Sequence, residues 1–182
     1  MFSPLFNHFS FRDTDVPPVP KLKSDIRMFR ETRRFEVTDY IREDGWFDDD
    51  RRVTYLGSFQ PQWLKRLANK IRREFPGGLP VNHEIYAVLL EIAAGAAKQK
   101  LHKDSENPTP FWSIFVPLTR HKAQGTTAFH GGIYPSPKCK NYLFDSNTMH
   151  YGQANRSQHT RCVLVFMIGP AELFDDGMMP LA

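Results

Sequence analysis

The stretch HYGQANRSQHTR, residues 150–161, decides how this chain is read. It opens on His150 and closes on Arg161, which heads the apolar run RCVLVFMI over residues 161–168. Before it stands NYLFDSNTM, residues 141–149, an apolar strand followed by a turn. Asn155 and Ser157, between the histidine and the arginine, are residue types that bond locally to backbone and shape turns. An arginine at the start of an apolar strand is costly to bury without a partner. Its planar guanidinium suits a bidentate, charge-assisted pair with a carboxylate.

Working towards the N-terminus, LHKD at residues 101–104 supplies the complement. Side chains at i and i+2 of an extended strand share a face, so His102 and Asp104 can reach one point while Lys103 turns away. One imidazole and one carboxylate make two ligands of a facial triad, and a histidine from a distant strand completes it. Such sites with open positions select non-haem Fe(II). Of the seven histidines, His150 fits the third position best. His159 is its rival, two residues before Arg161 but in a polar turn. His121 and His130 flank a glycine-containing loop and read as polar loop residues or substrate contacts.

The surroundings read as a β-rich domain. Residues 84–93, 98–102, 111–118, 126–130, 141–144 and 161–168 are short apolar or alternating runs separated by Gly, Pro, Asn and Asp, the pattern of a sandwich or barrel. Residues 33–37 and 52–56 are further candidate strands, and GWFDDDRR between them is a turn with an acidic tip. From Gln60 to Phe75 the period changes: Trp63, Leu67, Ile71 and Phe75 recur every fourth residue, with Leu64 beside them, an amphipathic helix stopped by Pro76, Gly77 and Gly78. Its other face carries Lys65, Arg66, Lys70, Arg72 and Arg73, which is ordinarily a solvated face and can also grip phosphates. Residues 1–25, with four prolines and four phenylalanines, read as a flexible or surface-draped arm ahead of a single domain over 26–182 whose core is 84–170.

Composition narrows the class without naming a partner. The 182 residues are 41% hydrophobic and 13% aromatic, with fifteen Phe, enough for one aromatic-rich core. A net charge of +4 permits an anionic partner without demanding one. Two cysteines, Cys139 and Cys162, form no disulfide framework, and the N-terminus lacks the pattern of a secretory signal. The longest apolar run, Ala87 to Ala97, contains Glu91 and is too short to span a bilayer. A cytoplasmic protein with no membrane partner is expected.

Taken together, His-x-Asp, then His, then Arg in the last strand resembles the Fe(II)/2-oxoglutarate-dependent dioxygenase superfamily, and HYGQANRSQHTR is similar to the distal motif of its phytanoyl-CoA-hydroxylase-like members. QGTTAFHGG, residues 124–132, is similar to the family's segment before its turn, though the Pro and Ser of that turn are missing. The spacing from His102 to His150 is nearer that of compact members, which include oxygenases of nucleic acid and protein. The resemblance covers about residues 84–170. It implies a mainly β (α+β) fold, a double-stranded β-helix or jelly-roll/cupin-like barrel with the amphipathic helix on its flank. It implies Fe(II) on His102, Asp104 and His150, with 2-oxoglutarate as co-substrate, its distal carboxylate on Arg161 and a hydroxyl supplied by Tyr86. Trp112, Ser113 and Thr127 are further pocket candidates. Hydroxylation with release of succinate and CO2, with ascorbate as reductant, is the implied reaction; the related halogenases lack the carboxylate that Asp104 provides. A small or medium organic substrate is favoured over nucleic acid or protein. Two other classes stay open: a non-catalytic barrel used as a scaffold, and a cupin metalloenzyme of another kind, which would need no Arg161.

Overall fold

Ten residues, His83–Ile92, pair antiparallel along their whole length with ten others, Arg161–Pro170, and this pair is the centre of the fold. The computed structural model describes residues 3–32, 39–40, 50–57, 59–119, 127–174 and 178–182, with no side chains at 30, 32, 39 and 40. In chain order the elements are β1 (Leu5–Phe6), α1 (Val19–Thr32), β2 (Asp39–Tyr40), β3 (Arg51–Tyr55), α2 (Gln62–Glu74), β4 (His83–Ile92), β5 (Trp112–Pro117), β6 (Thr127–Phe129), β7 (Tyr142–Asp145), β8 (His150–Gly152) and β9 (Arg161–Pro170), followed by a 3-10 turn at Ala171–Leu173. The large sheet has the order β1-β7-β5-β9-β4-β3-β2, and β6 pairs with β8 in a second, small sheet. Every pairing is antiparallel.

Strand alternation gives the large sheet two different faces. Ile85, Ala87 and Leu89 of β4, with Leu164, Phe166 and Ile168 of β9, pack against the helices. Leu64, Leu67, Ala68 and Ile71 of α2 meet them there. Each such fully buried Leu or Ile contributes on the order of 1.5–3 kcal/mol. α2 ends because Phe75 leaves the helical region and Gly77 and Gly78 follow at φ 75° and 83°, which side chains disfavour. Glu91, the charge inside the apolar run, also faces the helices. Lys23 of α1 and Arg52 both reach it at 2.5 Å, and these two cations hold its carboxyl below the ordinary range although burial pushes it up.

The opposite face of the large sheet carries the small one. Phe129 of β6 and His150 of β8 lie against Phe144, and Phe129 also meets Tyr142 edge-on. Two antiparallel sheets face to face with helices on the outside make the mainly β double-stranded β-helix. Cys139 and Cys162 are buried free thiols.

Two local expectations come out differently, and the arm takes one of the forms expected of it. The run at 98–102 is not a continuous strand: it forms an isolated bridge with β8 at His102–His150, and the Gln99 amide donates to the Gly152 carbonyl at 3.0 Å. α1 is unanticipated and contains the boundary expected near residue 25. Its buried Leu22 and Ile26, with half-buried Val19 and Phe29, do keep helical spacing. The arm lies against the sheet: β1 pairs with β7, Phe9 and Phe11 are buried and stacked at 5.6 Å, and the Asn141 side chain bonds both backbone groups of Phe9. The candidate strand at 33–37 and most of the acidic turn lie outside the described residues.

Candidate metal centre

His102 and His150 face each other across one pair of backbone hydrogen bonds. The His102 amide donates to the His150 carbonyl at 2.9 Å, and the His150 amide returns the bond at 2.8 Å. Residues paired in this way project to the same face, about 5.5 Å apart at Cα. Asp104, two residues on, keeps that face, and its amide donates to the Ser146 carbonyl at 2.9 Å. The three candidate ligands therefore converge because one antiparallel pairing and one i,i+2 step put them on the same side.

The rings are oriented by their own backbone. His102 Nδ1 sits 2.8 Å from the Lys100 carbonyl, and His150 Nδ1 sits 2.9 Å from that of Thr148. A carbonyl only accepts, so each Nδ1 carries the proton and each Nε2 lone pair is turned inward. The Nε2 atoms lie 3.7 Å (His102) and 3.4 Å (His150) from Asp104 Oδ1. Ligand atoms about 2.1 Å from a metal at right angles are about 3 Å apart, so small adjustments close the set on an ion. Among the described residues this is the group of His, Cys, Asp and Glu that could hold a metal, its ligand atoms all within 4.8 Å of one another. His150 is buried, while the His102 and Asp104 side chains are each 23% exposed, so the centre opens to solvent on their side.

The two histidines titrate in opposite directions. Burial lowers His102, and the neighbouring His150 and Arg51 lower it further, against the Lys100 carbonyl and Asp104. Burial would lower His150 as well, but the charge and hydrogen bond of Asp104 and the Thr148 carbonyl outweigh it, so His150 is raised. The carboxylate thus pairs with the deeper imidazole.

The strands carrying the ligands are tied by a small set of polar residues. Asn155, buried in the turn after β8, donates through Nδ2 to the carbonyls of Ile92, Ala93 and His159, and exchanges backbone bonds with Gly95 and Ala96. Asp50 and Arg51 clamp Ala97: Arg51 donates to its carbonyl and Asp50 Oδ2 accepts from its amide. Gln99 accepts from the Gly152 amide at 2.8 Å. Both approaches to the metal centre, 93–101 and 152–159, are held to each other before the ligands begin.

No family model and no curated protein matches the sequence. Solved structures do match, over nearly the whole chain. The non-heme alpha ketoglutarate dependent carbocyclase SnoK from nogalamycin biosynthesis aligns at TM-score 0.62 and 10% identity, covering 95% of this chain and 89% of that one. A prolyl hydroxylase from Trichoplax adhaerens, in complex with a hypoxia inducible factor peptide fragment, aligns at 0.63 and 11%, covering 93% and 84%. A Pseudomonas putida prolyl-4-hydroxylase aligns at 0.57 and 14%, covering 92% and 91%. The chain has the fold of the non-haem 2-oxoglutarate-dependent oxygenases.

Within this fold the candidate metal centre sits between the sheets, in a cleft lined by Leu90, Ile92, Phe115 and Val163 of the large sheet and by Gln99, Thr127 and Gly152 beside the three candidate ligands. Arg161 stands on the rung of Ile92. It pairs with Ile92, which pairs in turn with Arg51, so all three side chains share the cleft's face of the sheet. Arg161 is 1% exposed and donates to the Gln153 carbonyl. Burial and the charge of Arg51 lower its pKa, and the Tyr142 phenol opposes them.

Tyr86 is not brought to the cleft. It occupies the same face of β4 as Leu90 but four residues away, roughly 13 Å along the strand, with its ring 4.2 Å from that of Phe174. Tyr142, by contrast, stands next to a residue of the cleft lining. Its hydroxyl bonds Thr127 Oγ1 at 2.8 Å, at the cleft lining. The period of two in NYLFD puts Tyr142 and Phe144 on one face, but nothing in that run says which face meets the metal. Thr127 lines the cleft as expected. Ser113 is buried on the cleft's side of β5, and Trp112 packs on the helical side. His159 and His130 stand outside the metal group, and His121 lies outside the described residues.

Proposed function

We propose that this protein is an Fe(II)- and 2-oxoglutarate-dependent oxygenase that hydroxylates a small or medium organic substrate, with release of succinate and CO2. The observation that carries the reading is the convergence of His102, Asp104 and His150 on one point inside this fold, with inward-turned Nε2 atoms and one solvent-open side. Two imidazoles and one carboxylate are the donor set for non-haem Fe(II) with open positions. Bound iron and 2-oxoglutarate would supply oxidative decarboxylation coupled to attack on a C–H bond; the protein positions and shields that chemistry.

The chain's own residues have defined tasks. Asp104 offsets the metal's charge, and the Lys100 and Thr148 carbonyls hold the two rings in the ligating tautomer. Arg161, buried beside Ile92, receives the distal carboxylate of the co-substrate, where a guanidinium in low dielectric makes its strongest pair. Tyr142 and Thr127, hydrogen-bonded to each other beside the cleft, present hydroxyls near that end. The apolar walls from Leu90, Ile92 and Val163 exclude water from the reacting atoms.

A nucleic acid or protein substrate is the second reading. The favouring observation is that one matched structure is a prolyl hydroxylase holding a peptide. No helix among the described residues is long and apolar enough to cross a membrane; a cytoplasmic enzyme without a membrane partner is the proposed setting.

The test is a mass-spectrometric search for products one oxygen heavier in metabolite and polymer mixtures incubated with protein, Fe(II), ascorbate, O2 and 2-oxoglutarate, with succinate followed in parallel. Arg161→Met should weaken 2-oxoglutarate binding by roughly 10–100-fold, the worth of a charged hydrogen-bonded pair, with a much smaller loss of thermal stability. No succinate from wild type with any pool, together with poor iron binding, would leave a scaffold protein.

A further inference from the structure

α2 carries a basic face that the metal centre does not use. Its cations are Lys65, Arg66, Lys70, Arg72 and Arg73, and the helix ends on Glu74. Trp63, Arg66, Lys70 and Arg73 step by three, four and three residues, which sets them on one stripe. At 1.5 Å per residue the stripe is about 15 Å long. It lines a groove of about 330 Å³ between α2 and Asp15 of the N-terminal arm, completed by Leu67 and Asn69.

The groove's cations differ in what they already hold. The Lys70 ammonium donates to the Ser10 carbonyl at 2.7 Å and stands 3.6 Å from Asp15. Arg66 and Arg73 are exposed, and neither makes an ion pair or a side-chain hydrogen bond with a described residue. The carboxylates beside them are taken up by the arm. Asp15 accepts from the Arg12 amide at 2.8 Å, and Glu74 accepts from the amide and the hydroxyl of Ser10 at 3.0 and 2.9 Å. Trp63 is half-buried: it packs against the core and also lines the groove.

We propose that this groove docks single-stranded nucleic acid, with Arg66 and Arg73 on two phosphates of one strand and Trp63 against a base. A guanidinium matches phosphate bidentately. An aromatic face beside a cationic track is the combination that holds single strands without reading their sequence. An anionic membrane fits less well, because the groove is concave and none of the exposed large apolar side chains among the described residues lies in it. An acidic peptide would use the arginines and leave the indole without a role. α2 buries Leu64, Leu67, Ala68 and Ile71 on the helical side of the large sheet, whereas the metal cleft opens on the other side. A bound strand therefore leaves the cleft open, and the docking site stands or falls independently of the oxygenase reading.

The experiment uses the full chain and a fluorescein-labelled thymidine oligonucleotide, with anisotropy read at several salt concentrations. For a single strand each phosphate contact contributes about −0.7 to the slope of log K against log salt, so wild type should give about −1.4 to −2, from the two arginines without or with Lys70. Arg66→Gln combined with Arg73→Gln should weaken binding by roughly tenfold or more and flatten the slope by about 1.4. Trp63→Leu, measured below its melting transition, should weaken binding by roughly fivefold or more, the worth of one stacked base, and keep the slope. Lys21→Gln combined with Lys138→Gln removes the same net charge elsewhere and should leave affinity and slope unchanged. A polyglutamate peptide and phosphatidylserine vesicles should bind more weakly than the oligonucleotide at equal ionic strength. The proposal is overturned if wild type does not bind the oligonucleotide, or if the double arginine variant or Trp63→Leu binds it as wild type does. It is equally overturned if the double lysine variant loses as much as the double arginine one, or if peptide or vesicles bind more tightly than the oligonucleotide.

Discussion

Replacing Asn155 with alanine tests whether the ligand-bearing segments are held together as the structure indicates. Asn155 is 2% exposed, and the two hydrogens of its amide are shared among three carbonyls, at 3.1 Å (Ile92), 2.8 Å (Ala93) and 2.9 Å (His159). Its Oδ1 also accepts from the Ser157 hydroxyl at 2.8 Å. A net hydrogen bond is worth about 0.5–1.5 kcal/mol, and a buried carbonyl left without a donor costs about 1–3 kcal/mol. Asn155→Ala should therefore cost about 2–4 kcal/mol in total, leaving a folded protein of this size with a melting temperature lower by roughly 5–15 °C. The loss should extend to the metal centre, because residues 93–101 and 152–159 lead to His102 and from His150. Mn(II) affinity, measured by calorimetry below the variant's melting transition, should fall by about tenfold or more. Asn155→Asp sharpens the test: it keeps the acceptor for Ser157 but faces carbonyl oxygens with a carboxylate, so it should be the worse of the two. An Asn155→Ala melting curve within about a degree of wild type, with unchanged Mn(II) affinity, would refute the reasoning, since it leaves no room for the removal of even one buried hydrogen bond.

Three further outcomes can be checked on the same protein. Asp104→Ala should abolish tight Mn(II) binding and lower the His150 pKa, readable by NMR titration, because Asp104 supplies both the charge and the hydrogen bond that raise it; an unmoved His150 would contradict the geometry. The pH dependence has a definite sign. His150 is raised above 6.5 in the metal-free protein, so its pairing with Asp104 stabilises the apo form fully below about 6.5 and less as pH climbs through the raised value. Metal needs the neutral imidazole, so the Mn(II)-induced gain in melting temperature should grow with pH over that window, and a flat or falling gain would count against the assignment. Finally, a Cβ at Gly152 would stand 2.3 Å from Gln99 Oε1, the end of a flexible side chain. Gly152→Ala should therefore fold but push Gln99 aside, break its bond to the Gly152 amide and weaken 2-oxoglutarate binding in a direct titration.

Much of this protein could be read before its structure. Short apolar or alternating runs bounded by Gly, Pro, Asn and Asp located β3, β4, β5, β6, β7 and β9, and the four-residue repeat of Trp63, Leu67, Ile71 and Phe75 located α2, because burying one face of a helix imposes a period that the chain must display. His102 and Asp104 were legible as an i,i+2 pair for the same local reason. The helical spacing of Val19, Leu22, Ile26 and Phe29 was equally present but masked by the prolines around it.

What the sequence could not contain is the pairing between distant segments. Nothing local to His150 specifies that its amide and carbonyl exchange hydrogen bonds with His102, nor that Ile92 stands between two arginines. Tyr86 and Tyr142 illustrate the consequence. Both are buried tyrosines on strands with their side chains on the cleft's side of the large sheet. The register of β4 carries Tyr86 away to Phe174, whereas β7 crosses beneath the small sheet and delivers Tyr142 to Thr127. Alternation along a strand is a property of the chain and is written in it. Register between strands is the property of a pair, settled only when the buried faces close on each other, and on that depends which of two similar residues meets the metal cleft.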